Sequence, residues 1–372
     1  MEAVYSLELG GIERLVSGLA PHFAEVHGVP SAVVCLGTRS GPLLPDLEKR
    51  GIPVFHAPRM EGGPQAWMDR LEQVLREWKT EVFHTHYSFG LLWQVKAARR
   101  AGVSRVVITE QNAYRFGLAA RLRNLVYDRL YWRHIHAYTC VSEAVRRHLA
   151  RSRMRPERAF EVVHNSVDVD LFRPDGLRRE SARKAWGVAP ETVVIGSVGR
   201  LTRQKGFPYL IEAAAQVCAA HPDVQFRIFG EGEERPRLEE HVRRLGLRGR
   251  VILEGARPNL HELLPGLDLY VMPSLWEGMS LAIAEAMATR LPIIGTAVPG
   301  TTDLLAEGAG LLVPPADPKA LAEAIAGLHD DAPARQRLAE TAYARAHQLF
   351  SLRRCAESYL DIFSRPSPVG AK

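Results

Sequence analysis

Short apolar runs alternate with helical patterns along the whole chain. In the first half they are Ser31–Leu36, Val54–His56, Val82–His86, Val106–Thr109, Ala137–Ser142 and Phe160–His164, preceded by an apolar segment within Met1–Leu9. A second series follows at Val193–Val198, Val224–Phe229, Val251–Glu254, Leu269–Met272, Ile293–Gly295 and Gly310–Val313. Strand, helix, strand alternation implies a parallel sheet with helices on both faces, and two such series predict two doubly wound α/β domains in tandem. Between them Asn165–Gly176 loses periodicity and ends in the turn sequence Arg173-Pro-Asp-Gly, which places a hinge there. The domains expected are 1–170 and 177–350. A last helix, Ser351–Phe363, carries Leu352, Cys355, Tyr359, Leu360 and Phe363, enough for one buried stripe, and 365–372 reads as a frayed tail. Only nine residues precede Gly10-Gly11, which predicts a shortened first strand.

A chain of 372 residues suits two domains rather than one core. Its four cysteines lack Cys-x-x-Cys spacing, so neither a zinc site nor a disulfide framework is indicated and a reducing compartment is expected. The N-terminus has no basic leader before an apolar core, and no run reaches the roughly 18–20 apolar residues that span a bilayer. A cytoplasmic location follows, on the inner face of the membrane if the chain is peripheral. The net charge of +6 is modest but uneven: Gln94–Phe160 holds fifteen Lys/Arg against four Asp/Glu. Within it, Arg115–Arg133 sets Leu118, Leu122, Leu125, Val126, Leu130 and Tyr131 at near-helical spacing, a basic amphipathic helix. Two readings stay open for it, a solvated helix packed on its own domain and a helix resting on anionic lipid. Nucleic acid is not a partner, since no zinc-finger spacing or aromatic RNA-binding motif accompanies the charge.

The strongest chemical signal lies at Glu277-Gly-Met-Ser-Leu-Ala-Ile-Ala-Glu285, two carboxylates eight positions apart at the start of a helix. Gly278, Met279, Ser280 and Leu281 leave backbone N–H groups at a helix N-terminus, where unpaired amides and the helix dipole favour a phosphate. Carboxylates accept hydrogen bonds from paired hydroxyls such as those of sugars and riboses. Upstream, Gly199-Arg200 closes a strand and Lys205-Gly206 follows after a loop, two cations able to neutralise a diphosphate without a metal. Phe229-Gly-Glu-Gly232 follows another strand but lacks the third glycine of a dinucleotide fingerprint, so Gly230 reads as a tight turn near a nucleotide rather than an NAD site.

These pieces, with Gly10-Gly-Ile-Glu13, His84-Thr-His86, Val163-His-Asn-Ser-Val-Asp168 and Pro273-Ser274 to Gly300-Thr301, resemble in order and spacing the retaining glycosyltransferases of the GT-B fold that carry the Glu-x7-Glu motif. The resemblance covers nearly the whole chain. It implies two Rossmann-like domains facing a cleft, an N-terminal acceptor domain, a C-terminal donor domain and a final helix that crosses back to the first. It implies that Arg200 and Lys205 bind the donor diphosphate, that Glu277 meets the transferred sugar and Glu285 the ribose, and that Gly10, Gly11, Gly199 and Gly230 line the donor site, with Arg257 marking the loop near the base. A nucleoside diphosphate sugar, UDP- or GDP-linked, would be the donor, and a glycan or lipid-linked molecule of envelope or exopolysaccharide synthesis the acceptor. No cofactor and no metal are expected.

His84 and His86 share one face of their strand and could bind a metal, but the sequence offers no third ligand. His86 matches the cleft-lining histidine of the family; His84 is as readily a satisfied core residue. At Ile108-Thr-Glu-Gln-Asn112 the pattern departs, because Gln111 stands where relatives often carry a histidine. Glutamine hydrogen-bonds but takes no proton near neutral pH, so a histidine base at that point is in doubt. Competing readings are a nucleotide-sugar-binding protein without transferase activity and a nucleotide-sugar epimerase; a phosphorylase would need a pyridoxal-phosphate lysine context that is missing.

Overall fold

The computed structural model describes residues 1–8, 10–37, 41–59, 62–86, 90–112, 125–127 and 129–366. The chain divides into two compact units, Met1–Ser166 with Leu352–Lys372, and Val167–Ser351. Each is built on one parallel sheet. In the first unit the strands are β1 (Glu2–Val4), β2 (Val33–Cys35), β3 (Val54–His56), β4 (Val82–Thr85), β5 (Arg105–Glu110), β6 (Ala137–Cys140) and β7 (Glu161–Val162), in the order β3-β2-β1-β4-β5-β6-β7. In the second they are β8 (Val193–Val198), β9 (Val224–Phe229), β10 (Val251–Gly255), β11 (Leu269–Met272), β12 (Ile293–Thr296) and β13 (Leu311–Val313), in the order β10-β9-β8-β11-β12-β13. The apolar runs of the sequence are these strands.

Parallel strands need crossover helices, and helices on both faces leave the strands no solvated side. In the second unit Phe226, Ile228, Val271 and Ile294 pack with Phe207, Leu210, Ile211 and Val217 of the helix Phe207–Ala220 and with Leu321, Ile325 and Leu328 of the helix Pro318–Asp330. In the first, Val4, Val33 and Cys35 pack with Val16 and Ala20 of the helix Gly11–Glu25. The four cysteines are free, and burial lifts the Cys140 and Cys355 thiols to about 12, so both behave as small apolar groups.

The turn Arg173-Pro-Asp-Gly leads into a helix rather than a longer loop: Asp175 caps Gly176–Trp186 by accepting from the Arg178 N–H at 3.0 Å. The terminal helix Leu352–Ser364 belongs to the first unit and buries Cys355, Ala356, Tyr359 and Ile362. The buried stripe thus runs through Ile362 where Leu360 was expected, because 355, 359 and 362 repeat at one helical turn and 360 falls on its flank. Gly18 lets Leu352 approach, with 3.4 Å between the site of an added Cβ and Leu352 Cδ1. Of the basic segment Arg115–Arg133, residues 115–124, with Leu118 and Leu122, and Asp128 lie outside the described residues; 125–127 and 129–131 are helical, with Val126 and Leu130 exposed.

One ion-pair cluster ties the second unit's first helix to its sheet. Asp268 accepts from Arg179 at 2.5 Å, from Arg183 at 2.9 Å and from the Val194 N–H at 2.8 Å, while Arg183 also donates to the carbonyls of Ala189, Pro190 and Thr192. Asp268→Ala should therefore cost about 2 kcal/mol, the loss of charge-assisted hydrogen bonds with partial re-solvation of the arginines. Urea unfolding monitored in parallel with the wild type checks this, and an unchanged midpoint would show the cluster to be neutral.

Candidate active site

In an open α/β sheet the strand order reverses at one point, and the crevice beyond the carboxyl ends of the strands there is where ligands bind. In the second unit that point lies between β8 and β11. The loop after β8 carries Gly199 and Arg200, then the 3₁₀ turn Arg203–Lys205 and Gly206, which takes φ +65°. An added Cβ at Gly206 would stand 2.1 Å from the Pro273 carbonyl oxygen, so only glycine lets the two loops meet. The meeting is stitched by Leu275 N–H donating to Gln204 O at 2.8 Å and Gln204 Nε2 donating to Trp276 O at 3.0 Å.

Those contacts bring Lys205 Nζ to Glu277 Oε1 at 2.5 Å, and Ser274 Oγ donates to the same oxygen at 2.7 Å. Thr296 Oγ1 in turn donates to Ser274 O at 2.5 Å. Glu277 is buried and Lys205 nearly so, so each charge depends on the other; a lone carboxylate here would be strongly disfavoured. Gly278, Met279 and Ser280 follow in extended and turn backbone, all buried, and the helix Leu281–Ala288 begins with Ser280 as an N-cap that makes no side-chain capping bond. The helix's first amides thus have no side-chain cap from Ser280. Gly300 closes the far side: a Cβ there would meet the Gly278 carbonyl at 2.3 Å. Glu285 sits on this helix, 5% exposed, and the hydroxyl of Tyr270 beneath it is held protonated by burial and by the Glu285 and Glu277 carboxylates, donating to Val198 O.

Arg200, next to Gly199 in the loop after β8, is exposed and makes no ion pair among the described residues. Gly199 lies against the Lys205 stem, where an added Cβ would stand 3.2 Å from Cδ. Gly230 has φ +147°, and a Cβ would fall 1.9 Å from Gly199 O, so the loop after β9 presses directly on the loop after β8. Arg257 is bound instead to Glu254 at 3.0 Å, a carboxylate that also pairs with Arg227.

The first unit reverses between β1 and β4. Gly10 is the N-cap of the helix Gly11–Glu25 and again offers no side-chain cap. His86, just past β4, places Nε2 2.8 Å from Glu2 Oε2, and His84 Nδ1 is 2.9 Å from the same oxygen. The third ligand absent from the sequence pattern is thus Glu2, brought in because β1 pairs with β4 with Glu2 beside His84. Beyond the cluster His84 Nε2 lies 2.7 Å from Thr109 Oγ1, which neighbours Thr139 Oγ1 at 2.6 Å and the Tyr359 hydroxyl at 3.1 Å. Gln111 Nε2 stands 3.3 Å from His86 Nδ1, and Asn165 Nδ2 donates to Gln111 Oε1 at 2.8 Å.

Sequence reasoning assigned no role to Glu2, Asn165, Gln204, Ser274 or Thr296. Asn165, Ser274 and Thr296 lie within stretches that carry the family resemblance, but nothing there singles out their partners: Asn165 and Gln204 bond to residues more than fifty positions away, Thr296 to Ser274 22 positions away, and Ser274 to Glu277 in its own loop.

Residues 178–345 match the family described as glycosyl transferases group 1, and residues 9–171 match glycosyltransferase family 4. The chain is 32% identical over 272 residues, 70% of its length and 69% of the relative's, to the Escherichia coli UDP-Gal:alpha-D-GlcNAc-diphosphoundecaprenol alpha-1,3-galactosyltransferase. The chain belongs to the group 1 glycosyltransferases. Other group 1 relatives align over shorter shares: the alpha-D-kanosaminyltransferase of Streptomyces kanamyceticus is 32% identical over 57% of this chain and 56% of its own, so the chain spans less than two thirds of that protein. EpsF of Bacillus subtilis is matched over 64% of its length, at 30% identity over 65% of this chain. Among solved structures, Anabaena Alr3699/HepE in complex with UDP and glucose superposes with a TM-score of 0.86 over 98% of this chain and 99% of that one, at 22% identity, which establishes the GT-B fold. WaaG, a glycosyltransferase involved in lipopolysaccharide biosynthesis, gives 0.75 at 18% identity, covering 98% of this chain and 99% of its own. Among the described residues no helix is long and apolar enough to cross a membrane.

The buried cluster makes this group 1 glycosyltransferase acid-sensitive. Burial drives His84 down to about 4 despite Glu2, whereas in the unfolded chain it titrates near 6.5. As pH falls from 6.5 to 4 the unfolded chain takes up a proton that the folded one refuses, so unfolding free energy drops by on the order of 3 kcal/mol from this residue. Burial alone would raise Glu2, but its two imidazole partners hold it well below the carboxylate range, so its stabilisation is present above about 4.5 and is lost with further acid, the same direction. Urea titrations across that range should show a shallower pH slope for His84→Gln than for the wild type; parallel slopes would remove His84 as the cause.

Proposed function

We propose that this chain is a retaining, metal-independent hexosyltransferase that moves a sugar from a UDP- or GDP-linked donor to a glycan or lipid-linked acceptor in envelope or exopolysaccharide synthesis. The observation that carries the reading is the Lys205–Glu277 pair at the switch point of the second sheet, beside uncapped helix amides and the exposed Arg200. A diphosphate meets Arg200, the remaining N–H donors of Lys205 and the amides of Gly278–Leu281. Glu277 gives Oε1 to Lys205 and Ser274, leaving Oε2 to accept from a sugar hydroxyl, while Glu285 accepts from the ribose. Printed descriptions of relatives support the donor and acceptor classes: UDP-glucose is present in a HepE structure, and the Escherichia coli relative is named for a UDP-galactose donor and a diphosphoundecaprenol-linked acceptor.

In the reaction the bond between the anomeric carbon and the β-phosphate oxygen breaks while the acceptor oxygen bonds to the same face of that carbon. The acceptor proton passes to the departing phosphate oxygen, and negative charge grows on the diphosphate. On this reading Arg200, Lys205 and the helix amides stabilise that charge, which is the largest contribution a site of this kind makes. Such a step needs no protein base, and this accommodates Gln111, whose amide takes no proton. His86 and Gln111 act on the sugar or the acceptor as hydrogen-bonding groups.

Calorimetric titration with UDP and GDP tests the donor site. Arg200→Ala should weaken the preferred nucleotide about tenfold or more, the equivalent of one charge-assisted hydrogen bond. Lys205→Ala should do so and also lower the melting temperature, because it strands Glu277. A wild type that binds neither nucleotide, or an Arg200→Ala protein of unchanged affinity, would overturn the assignment.

A further inference from the structure

The hydrogen bonds that run from Asn165 through Gln111 and His86 to Glu2 can be assigned a direction, and each runs toward the Glu2 carboxylate. Asn165 Nδ2 can only donate, so Gln111 Oε1 is the acceptor and Gln111 Nε2 turns to His86 Nδ1. A donor facing Nδ1 requires that nitrogen to be unprotonated, so the His86 proton resides on Nε2 and points at Glu2 Oε2, 2.8 Å away. On the other side His84 Nδ1 lies 2.9 Å from the same oxygen, and His84 Nε2 lies 2.7 Å from Thr109 Oγ1. Glu2, the carboxylate at the end of this series, lies in a strand that is buried throughout.

We propose that Glu2 is a positioning residue that, through His86, locks the Gln111 amide so that it offers one N–H, and no acceptor, to the sugar or acceptor molecule. Gln111 spends Oε1 on Asn165 and one N–H on His86; the second N–H is the group left for a ligand oxygen. The site therefore selects a hydroxyl or phosphate oxygen that accepts at this point and cannot deprotonate it. This step rests on the transferase reading for what Gln111 meets, but the direction of the chain does not.

Long-range ¹⁵N spectra of the full-length protein labelled at histidine, assigned with His84→Gln and His86→Gln, test the direction without any ligand. The expected result near neutral pH is a neutral His86 protonated on Nε2; an Nδ1–H tautomer or an imidazolium overturns the proposal. Asn165→Asp supplies an acceptor where a donor stood, turns the Gln111 amide over and should leave both His86 nitrogens facing acceptors, so that His86 becomes doubly protonated; an unchanged His86 signal in a folded variant also overturns it. With UDP-glucose as the probe, Glu2→Gln should slow sugar release about tenfold to a hundredfold while UDP affinity by calorimetry stays within about twofold, the pattern of a misplaced group rather than a damaged donor site. Glu2→Asp, which keeps the charge, should recover part of the rate. A folded Glu2→Gln protein with unaltered turnover sinks the role of Glu2; a wild type that fails to bind UDP sinks the donor reading instead, and the tautomer still decides the chain.

Discussion

Parallel pairing is the constraint from which the rest of this structure follows. A parallel strand cannot be joined to its neighbour by a tight turn, so every strand exits at the carboxyl edge of the sheet and returns through a helix on one face. Where the winding starts from a central strand and proceeds in both directions, two exits diverge and leave a gap. In this chain the gap lies beside β1 and β4 in one unit and beside β8 and β11 in the other; Glu277 is buried in the loop after β11, and Glu2 is buried at the start of β1, beside His84 of β4. Neither position is tolerable for an unpaired charge. The local chemistry of each unit can be understood as the answer to that one problem.

In the second unit the answer is steric as much as electrostatic. Lys205 reaches Glu277 because the two loops touch, and they touch because Gly206 and Gly230 remove the atoms that would hold them apart. Side chains at either glycine would collide with backbone carbonyls, which cannot move aside as a flexible side chain can. The ion pair, 72 residues apart in sequence, thus depends on backbone positions that carry no functional group at all.

How much of this the sequence revealed follows from the range of the interaction involved. The strands were legible because burial on both faces leaves a continuous local signature, as in Val193–Val198 and Leu269–Met272. The Glu277 to Glu285 segment was legible because its carboxylates, small residues and helix start are contiguous. The register of the terminal helix was harder: Leu360 and Ile362 are equally apolar, and only packing against the first unit decides which one is buried. Glu2 was invisible, since its partners are 82 and 84 positions away and nothing in a three-residue strand announces them. Gln111 was noticed only as a departure from a pattern, while its partners Asn165 and His86 depended on pairing across the sheet.

The two buried carboxylates are partnered differently. Glu277 is matched by an ammonium, a full charge that retains further donors and can attract an anionic ligand while it holds its partner. Glu2 faces imidazole nitrogens rather than an ammonium, so with neutral histidines its negative charge stays uncompensated by any cation behind Gln111. A histidine at position 111 would compete with His86 for protons around one carboxylate, whereas the Gln111 amide closes the chain by hydrogen bonding alone.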